Sequence, residues 1–413
     1  MSTVPSEPPA PADVVVVGGG ASGAAVAALL SLRGFRVCLL ERESSAAPAG
    51  AEALYPGVQP LLAELGLRDR MAGIGAVRSR YAVFDRGNGA EPSRSDLAES
   101  GPFGFGYHVH YRAFSELLLD RARELGATVR RGVTVLGPVC ADGAVAGVRS
   151  RGSEEVVTEW AAAIVVDASG PERAVAGHLA ATEPDPGGQL LSTEPVARAE
   201  SAEPPDPHSF VIARLPHEAG WSWSIPLGQG NVEHGTLLPV PTDGQTPEST
   251  GSGAVRRWRG YRAAELAGTG WLSVGDAAGL ADPLFLTPST IALLAAQAAA
   301  DAVEAALAEG RRTVADGYQK SYEEILAGAR QFAAFWLAPE RREEDEVALA
   351  RSLTALLNAS DGAATFAWMR GALDGTHPLL DAQSPQGPLV ASLAMPRRST
   401  SSFCSAAKRQ SFT

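Results

Sequence analysis

Lysine is nearly absent from this chain. Only Lys320 and Lys408 occur among 413 residues, so arginine carries almost all of the positive charge. Acidic residues outnumber basic ones by 47 to 35, a net charge of −12, which argues against the basic footprint that nucleic acid requires. Cysteine is equally scarce. Cys38, Cys140 and Cys404 lie far apart and show no metal-ligand spacing, so a disulfide framework is not expected and a reducing cytoplasm fits. The most apolar stretch, 290–307, is interrupted by Gln297, Asp301 and Glu304, so no membrane span is expected. Residues 1–12 have neither a basic start nor an apolar centre and read as a disordered lead-in, not a signal peptide. His108 and His110 alternate on one strand without further Cys, His or carboxylate ligands nearby, and no metal site is expected.

What the chain does have is a β-branched run entering a glycine turn: Asp13-Val-Val-Val-Val-Gly18-Gly19-Gly20-Ala21-Ser22-Gly23. An Ala-rich helical stretch follows over 24–32, then a second apolar strand over 35–40 that ends on Glu41. In such a unit Gly18 permits the tight turn, Gly20 lets the backbone approach a pyrophosphate, and Gly23 lets the helix pack close on the strand. The helix start offers free N–H groups and the positive end of its dipole to the phosphates. Glu41 stands eighteen residues past Gly23, where a carboxylate can accept hydrogen bonds from a ribose diol. Strand, turn, helix, strand and acid in register predict a Rossmann-like dinucleotide core.

The rest of the chain divides around that core. We expect a helix at 58–65, a strand at 81–84, and an amphipathic helix at 114–125 with Phe114, Leu117, Leu118 and Ala122 on one face. An antiparallel meander is expected over 129–135, 144–148 and 156–160, then a buried strand at 164–167. The Pro- and acid-rich stretches 183–207 and 241–253 read as surface loops, with strands at 210–214, 221–226 and 234–238 between them. The resulting partition is a lead-in at 1–11, core segments at 12–80, 107–170 and 271–310, a second sheet domain from 81–106 and 171–270, a helical region at 311–380, and a disordered tail at 381–413.

A second motif, Trp271-Leu-Ser-Val-Gly275-Asp276-Ala-Ala-Gly279, again ends an apolar strand on Gly-Asp. By itself Asp276 could be a capping residue. Paired with the first motif, it resembles the FAD-dependent aromatic-hydroxylase group, in which this Asp contacts the ribityl chain and the following Asp-Pro, here Asp282-Pro283, brings backbone near the flavin ring. Two further segments are similar to that group. Gly106-Tyr-His-Val-His-Tyr-Arg112-Ala-Phe114 resembles its G-W-H-V-D-R-x-x-F helix entry, where the Arg helps hold FAD, and Asp167-Ala-Ser-Gly170 resembles its D-A-S-G turn. Trp221-Ser-Trp223-Ser-Ile-Pro226 resembles the W-x-W-x-I-P signature of flavin-dependent halogenases, and Gly50-Ala-Glu52-Ala-Leu54 their G-E-x-L loop. The fold this implies is α/β: a glutathione-reductase-type FAD-binding core, an inserted mixed-sheet substrate domain and a helical C-terminal region. The implied FAD contacts are Gly18, Gly20, Ser22, Gly23, Glu41, Arg42, Glu52, Arg112, Asp276 and Pro283.

Trp221 and Trp223 share one face of a strand. From spacing alone they are ordinary core packing; the resemblance makes them a wall between flavin and substrate. The chain departs from the halogenases where these carry a lysine, 25 to 35 residues after the G-E-x-L loop. Arg78 and Arg80 occupy that window, and a guanidinium is no simple replacement. Leu286 and Pro288 stand where the halogenases have a small Ser-Gly turn for chloride. The expectation is therefore an FAD-dependent monooxygenase-type oxidoreductase acting on a small organic substrate, with Trp221, Trp223, Arg78 and Arg80 at the reacting centre. Halogenation is the alternative; maturation of a partner protein and reduction of an isoprenoid stand further off. A separate flavin reductase or NAD(P)H is the expected source of electrons.

Overall fold

The computed structural model describes residues 10–322, apart from 44–49, 86, 88, 90, 99–102, 153, 194–195, 198–205, 216–219, 240–254, 281–287, 315–316 and 321. The loop expected at 241–253, Asp282, Pro283, Leu286, most of the expected C-terminal helical region and the expected tail fall outside the described residues.

Three sheets organise the described residues. The first is built around parallel strands in the order Trp271–Ser273, Val157–Asp167, Ala12–Val17, Val37–Glu41 and Thr128–Arg131. Val14 to Val17 are at most 3% exposed, because this strand is covered on both faces. That double burial explains a continuous run of valines where a half-exposed strand would alternate. The helix Ala21–Leu32 follows, with eleven of its twelve residues buried. Its small side chains let it lie between the helices Tyr111–Glu124 and Pro288–Ala308.

The expected meander is real but its limits differ. Thr128–Arg131 pairs in parallel with Val37–Glu41 and belongs to the core sheet, and the meander proper runs Thr134–Ala141, Ala144–Arg151 and Val157–Asp167. The expected strands 156–160 and 164–167 are one strand that leaves the meander and enters the core.

The second sheet has nine strands. It contains Tyr81–Asp85, Ser93–Asp96, Ser209–Arg214, Trp221–Gly228, Asn231–Pro239, Val255–Ala263 and Gly279–Leu280. Gln229 and Gly230 join two of these strands with positive φ at both residues, the backbone that a two-residue hairpin turn demands. Thr182–Thr193, which covers the first part of the loop expected at 183–207, forms another strand of this sheet. Its pairing with Val255–Ala263 shifts register between Pro184 and Gln189, so an irregularity absorbs the prolines.

A small third sheet, Ala51–Leu54, Gly106–His110 and Val77–Ser79, lies against the strand Trp221–Gly228. One helix segment, Ser289–Ala308, is long and apolar enough to cross a membrane by length and composition, and half of it is buried within the fold. Its Asp301 and Glu304 pair with Arg33, the residue that follows the helix Ala21–Leu32.

Candidate functional site

Three turns meet at the carboxyl end of the parallel sheet. The register Val17 to Asp167 to Ser273 sets the Gly18–Gly23 turn, the Asp167–Gly170 turn and the Gly275–Asp276 turn side by side. Ligands of open α/β sheets bind at this edge. Gly18 has φ +101°, and a Cβ there would lie 2.3 Å from the Ala168 carbonyl oxygen, so only glycine fits. Gly23 is as tight against the Gly18 carbonyl.

Asp167 is completely buried and works for the scaffold. Its Oδ1 accepts the Ser169 N–H at 3.0 Å, and its Oδ2 accepts the N–H groups of Val175 and Ala176 at 2.8 and 2.6 Å. Arg173 then donates from Nε to the Ala277 carbonyl at 3.1 Å, tying the second turn to the third.

These turns line a cavity of about 430 Å³. Gly18, Gly20, Ser22, Glu41, Arg42, Glu52 and Asp276 all contribute to its wall, so the structure gathers most of the residues expected to contact FAD. Gly23 lies under the turn. No side chain caps the helix start at Gly20 and no acid occupies its first turn, which leaves that end suited to an anion. The Glu41 carboxylate turns inward, accepting N–H groups from Gly19 and, at 2.8 Å, from Glu43. Arg42 sits at the rim in an ion pair with Glu172.

Two carboxyls form the deep end. Burial pushes Glu52 up to about 8, with the Asp276 charge adding to that rise, and burial pushes Asp276 up to about 6. Glu52 Oε2 is buried without a hydrogen-bond partner in a wall of the cavity. A hydroxyl-bearing ligand would supply the missing donors, so this donor set fits the polyol portion of FAD. Tyr111 completes the wall: its hydroxyl accepts the Ala21 N–H at 3.3 Å, and a Cβ on Gly20 would stand 3.0 Å from it. Tyr111 was missed in the sequence. The helix-entry motif drew attention to Arg112, which is exposed and does not line the cavity, whereas its neighbour does.

The residues expected at the reacting centre are dispersed. Trp221 and Trp223 are 5% and 9% exposed and belong to the main hydrophobic core, not to the cavity wall. The indole of Trp223 fills the space left by Gly235 on the neighbouring strand, where a Cβ would come within 2.2 Å of the ring. Strand alternation turns Arg78 and Arg80 outward. Arg78 lies over the Phe105 ring at 4.6 Å, and Arg80 pairs with Asp96 at 2.9 Å. The inward residue of that window is Ser79, 1% exposed, with an unpartnered Oγ. His108 is fully buried; its Nδ1 bonds the Pro226 carbonyl at 2.9 Å, and burial lowers it to about 4. Among the described residues no group of three or more His, Cys, Asp or Glu could hold a metal ion.

Comparison with known proteins agrees with this geometry. A family model described as FAD dependent oxidoreductase matches residues 13–72, and one described as tryptophan halogenase matches residues 74–238. The chain is 25% identical to a 1H-pyrrole-2-carbonyl-[peptidyl-carrier protein] chlorinase of Pseudomonas fluorescens, over 71% of this chain and 76% of that one. It is 24% identical to the flavin-dependent halogenase armH3 of Armillaria mellea, over 72% and 68%. Among solved structures, the myxobacterial chondrochloren halogenase superposes with a TM-score of 0.70 at 23% identity, covering 89% of this chain and 98% of that one. The p-nitrophenol 4-monooxygenase of Pseudomonas putida gives 0.66 at 20%, covering 90% and 98%.

Fold and family matches together define a flavoprotein, an oxidoreductase whose cofactor is FAD. Within that class the chain is halogenase-like, related to the flavin-dependent halogenases and sharing its fold with them and with aromatic monooxygenases.

Proposed function

We propose that this enzyme oxidatively modifies a small organic substrate, using FAD held in the cavity at the three turns, with oxygen as co-substrate. The family match over residues 74–238 carries the finer reading, because it spans both the window 78–80 and the Trp221–Pro226 strand. It shifts the weight toward halogen transfer, the alternative in the sequence reading, and away from the monooxygenase-type activity expected first. One observation keeps hydroxylation as the second reading: the window offers inward Ser79, not a lysine, and Arg78 and Arg80 point away.

Gly18, Gly20, Ser22, Glu41, Glu52, Tyr111 and Asp276 would hold FAD, which supplies the redox chemistry when bound. The glycine turn and helix start would receive its phosphates, and the two buried carboxyls its hydroxyls. The core position of the tryptophans supports a rigid partition of the second sheet. Arg112 and Pro283 remain proposed contacts from resemblance alone. We also propose that the first and second sheets mark two domains, with Ala267–Gly268 assigned to the core and Gly279–Leu280 to the substrate sheet. Electrons would come from a separate reductase or from NAD(P)H.

The test uses enzyme loaded with FAD, a chemical flavin-reducing system and oxygen, with and without bromide, on phenol red, pyrrole-2-carboxylate and tryptophan. Enzyme- and bromide-dependent bromination of any of these supports halogen transfer. Oxygenated product that ignores bromide transfers the assignment to hydroxylation. A chain that purifies without FAD and cannot be loaded with it removes both.

A further inference from the structure

Glu233 stands outside the cavity, yet its carboxylate reaches the strand that forms one cavity wall. It belongs to Asn231–Pro239 of the nine-stranded sheet, where it pairs with Ile225 and Ala197. Its Oε1 accepts the Ala51 N–H at 2.5 Å, crossing from the second sheet to the small sheet. Ala51–Leu54 is an edge strand, paired among the described strands with Gly106–His110 alone. Its entry is held by two bonds: the Ala51 N–H to Glu233, and the Gly50 carbonyl, which accepts the Tyr111 N–H at 2.8 Å. Gly50, Glu52 and Tyr111 all line the cavity, and Glu233 does not. The next residue after the clamped amide is thus Glu52, whose Oε2 has no hydrogen-bond partner among the described residues. Glu233 is half-buried; burial raises it, while the Ala51 N–H and His110 draw it back toward ionisation.

A carboxylate withdrawn from water to bond one backbone amide is costly unless the amide matters. Among the described residues no strand pairs with the free side of this edge strand, which leaves the clamp to hold its start beside Glu52. We propose that Glu233 is a positioning residue for the flavin: from the substrate-side sheet it fixes the strand that presents Glu52, and so couples that sheet to FAD retention. This rests on the cavity being the FAD site.

The experiment measures FAD dissociation constants for the full chain by quenching of flavin fluorescence. Hydrogen exchange of the peptide containing Ala51 is followed in parallel. Glu233→Gln keeps an oxygen that can accept the amide and should hold FAD within about threefold of the parent. Glu233→Ala should weaken FAD about tenfold and speed exchange at Ala51, with core-strand peptides such as the one spanning Val14–Val17 unchanged. If Glu233→Ala binds FAD like the parent, or if Gln is as damaging as Ala, the clamp is not what positions the site. Should Glu233→Ala fail to fold, Glu233→Gln decides against Glu233→Leu by the same two readouts. Gly20→Val separates the premises. A Gly20→Val protein that still binds FAD overturns the cavity assignment, whereas loss of FAD there with no effect at Glu233 overturns the clamp alone.

Discussion

The two large sheets hold their motifs in opposite ways. At the parallel sheet the Gly18–Gly23, Asp167–Gly170 and Gly275–Asp276 turns arrive at one edge, and the site is made mostly of backbone: glycines, a helix start and strand ends. At the nine-stranded sheet the equally recognisable Trp221 and Trp223 are sealed into the core, and the arginines of the lysine window face solvent. A site built from backbone geometry is written into spacing, because only one turn satisfies it. A site built from side chains depends on which face a strand presents and on what packs over it.

The strongest way to break this comparison is at Trp223. If it is core, Trp223→Ala should cost about 3–5 kcal/mol, read as a lowered denaturant midpoint of the FAD-loaded protein. A stable Trp223→Ala protein with altered product would return the residue to the reacting centre. On the parallel-sheet side, Asp276→Ala should weaken FAD by about 1.5–3 kcal/mol in a fluorescence titration, with the fold retained. Unchanged affinity would leave Asp276 as a turn residue.

The deep carboxyls give a pH signature. Glu52 is raised to about 8 and Asp276 to about 6 in the folded chain. The folded state therefore holds protons that the unfolded state has already lost, and these groups reduce stability as pH climbs from about 4 through those values. Glu52→Gln should stabilise the FAD-free protein at pH 8 by about 1–2 kcal/mol, allowing for water in the cavity, and by less at pH 5. Equal shifts in melting temperature at the two pH values would show that Glu52 ionises freely.

Smaller effects sharpen the other side. Ser79→Ala removes a buried hydroxyl without a partner and should be neutral or stabilising by up to about 1 kcal/mol. A destabilised, inactive Ser79→Ala would instead mark the hydroxyl as functional. Arg80→Ala, breaking an exposed pair with Asp96, should change stability by less than about 1 kcal/mol and leave FAD binding unchanged. A large loss of turnover in that variant would restore a role at the reacting centre.

Local pattern alone determined the dinucleotide core. Four valines, glycines at fixed offsets, an Ala-rich helix and Glu41 admit one compact arrangement, because φ above zero at Gly18 and contact at Gly23 exclude other residues. Strand Thr182–Thr193 was not legible, since its composition favours a loop and only its pairing with Val255–Ala263 on one side and Asn231–Pro239 on the other makes it a strand. Tertiary structure also decided the split between Tyr111 and Arg112: adjacent helix positions point in different directions, and only the packing of Tyr111–Glu124 on Ala21–Leu32 selects the tyrosine for the cavity. It chose Ser79 over its two arginine neighbours by the alternation of an edge strand, and it assigned Glu233 to Ala51 across 182 residues of chain. Such contacts are set by how sheets stack, and stacking is a property of the whole chain that no local spacing encodes.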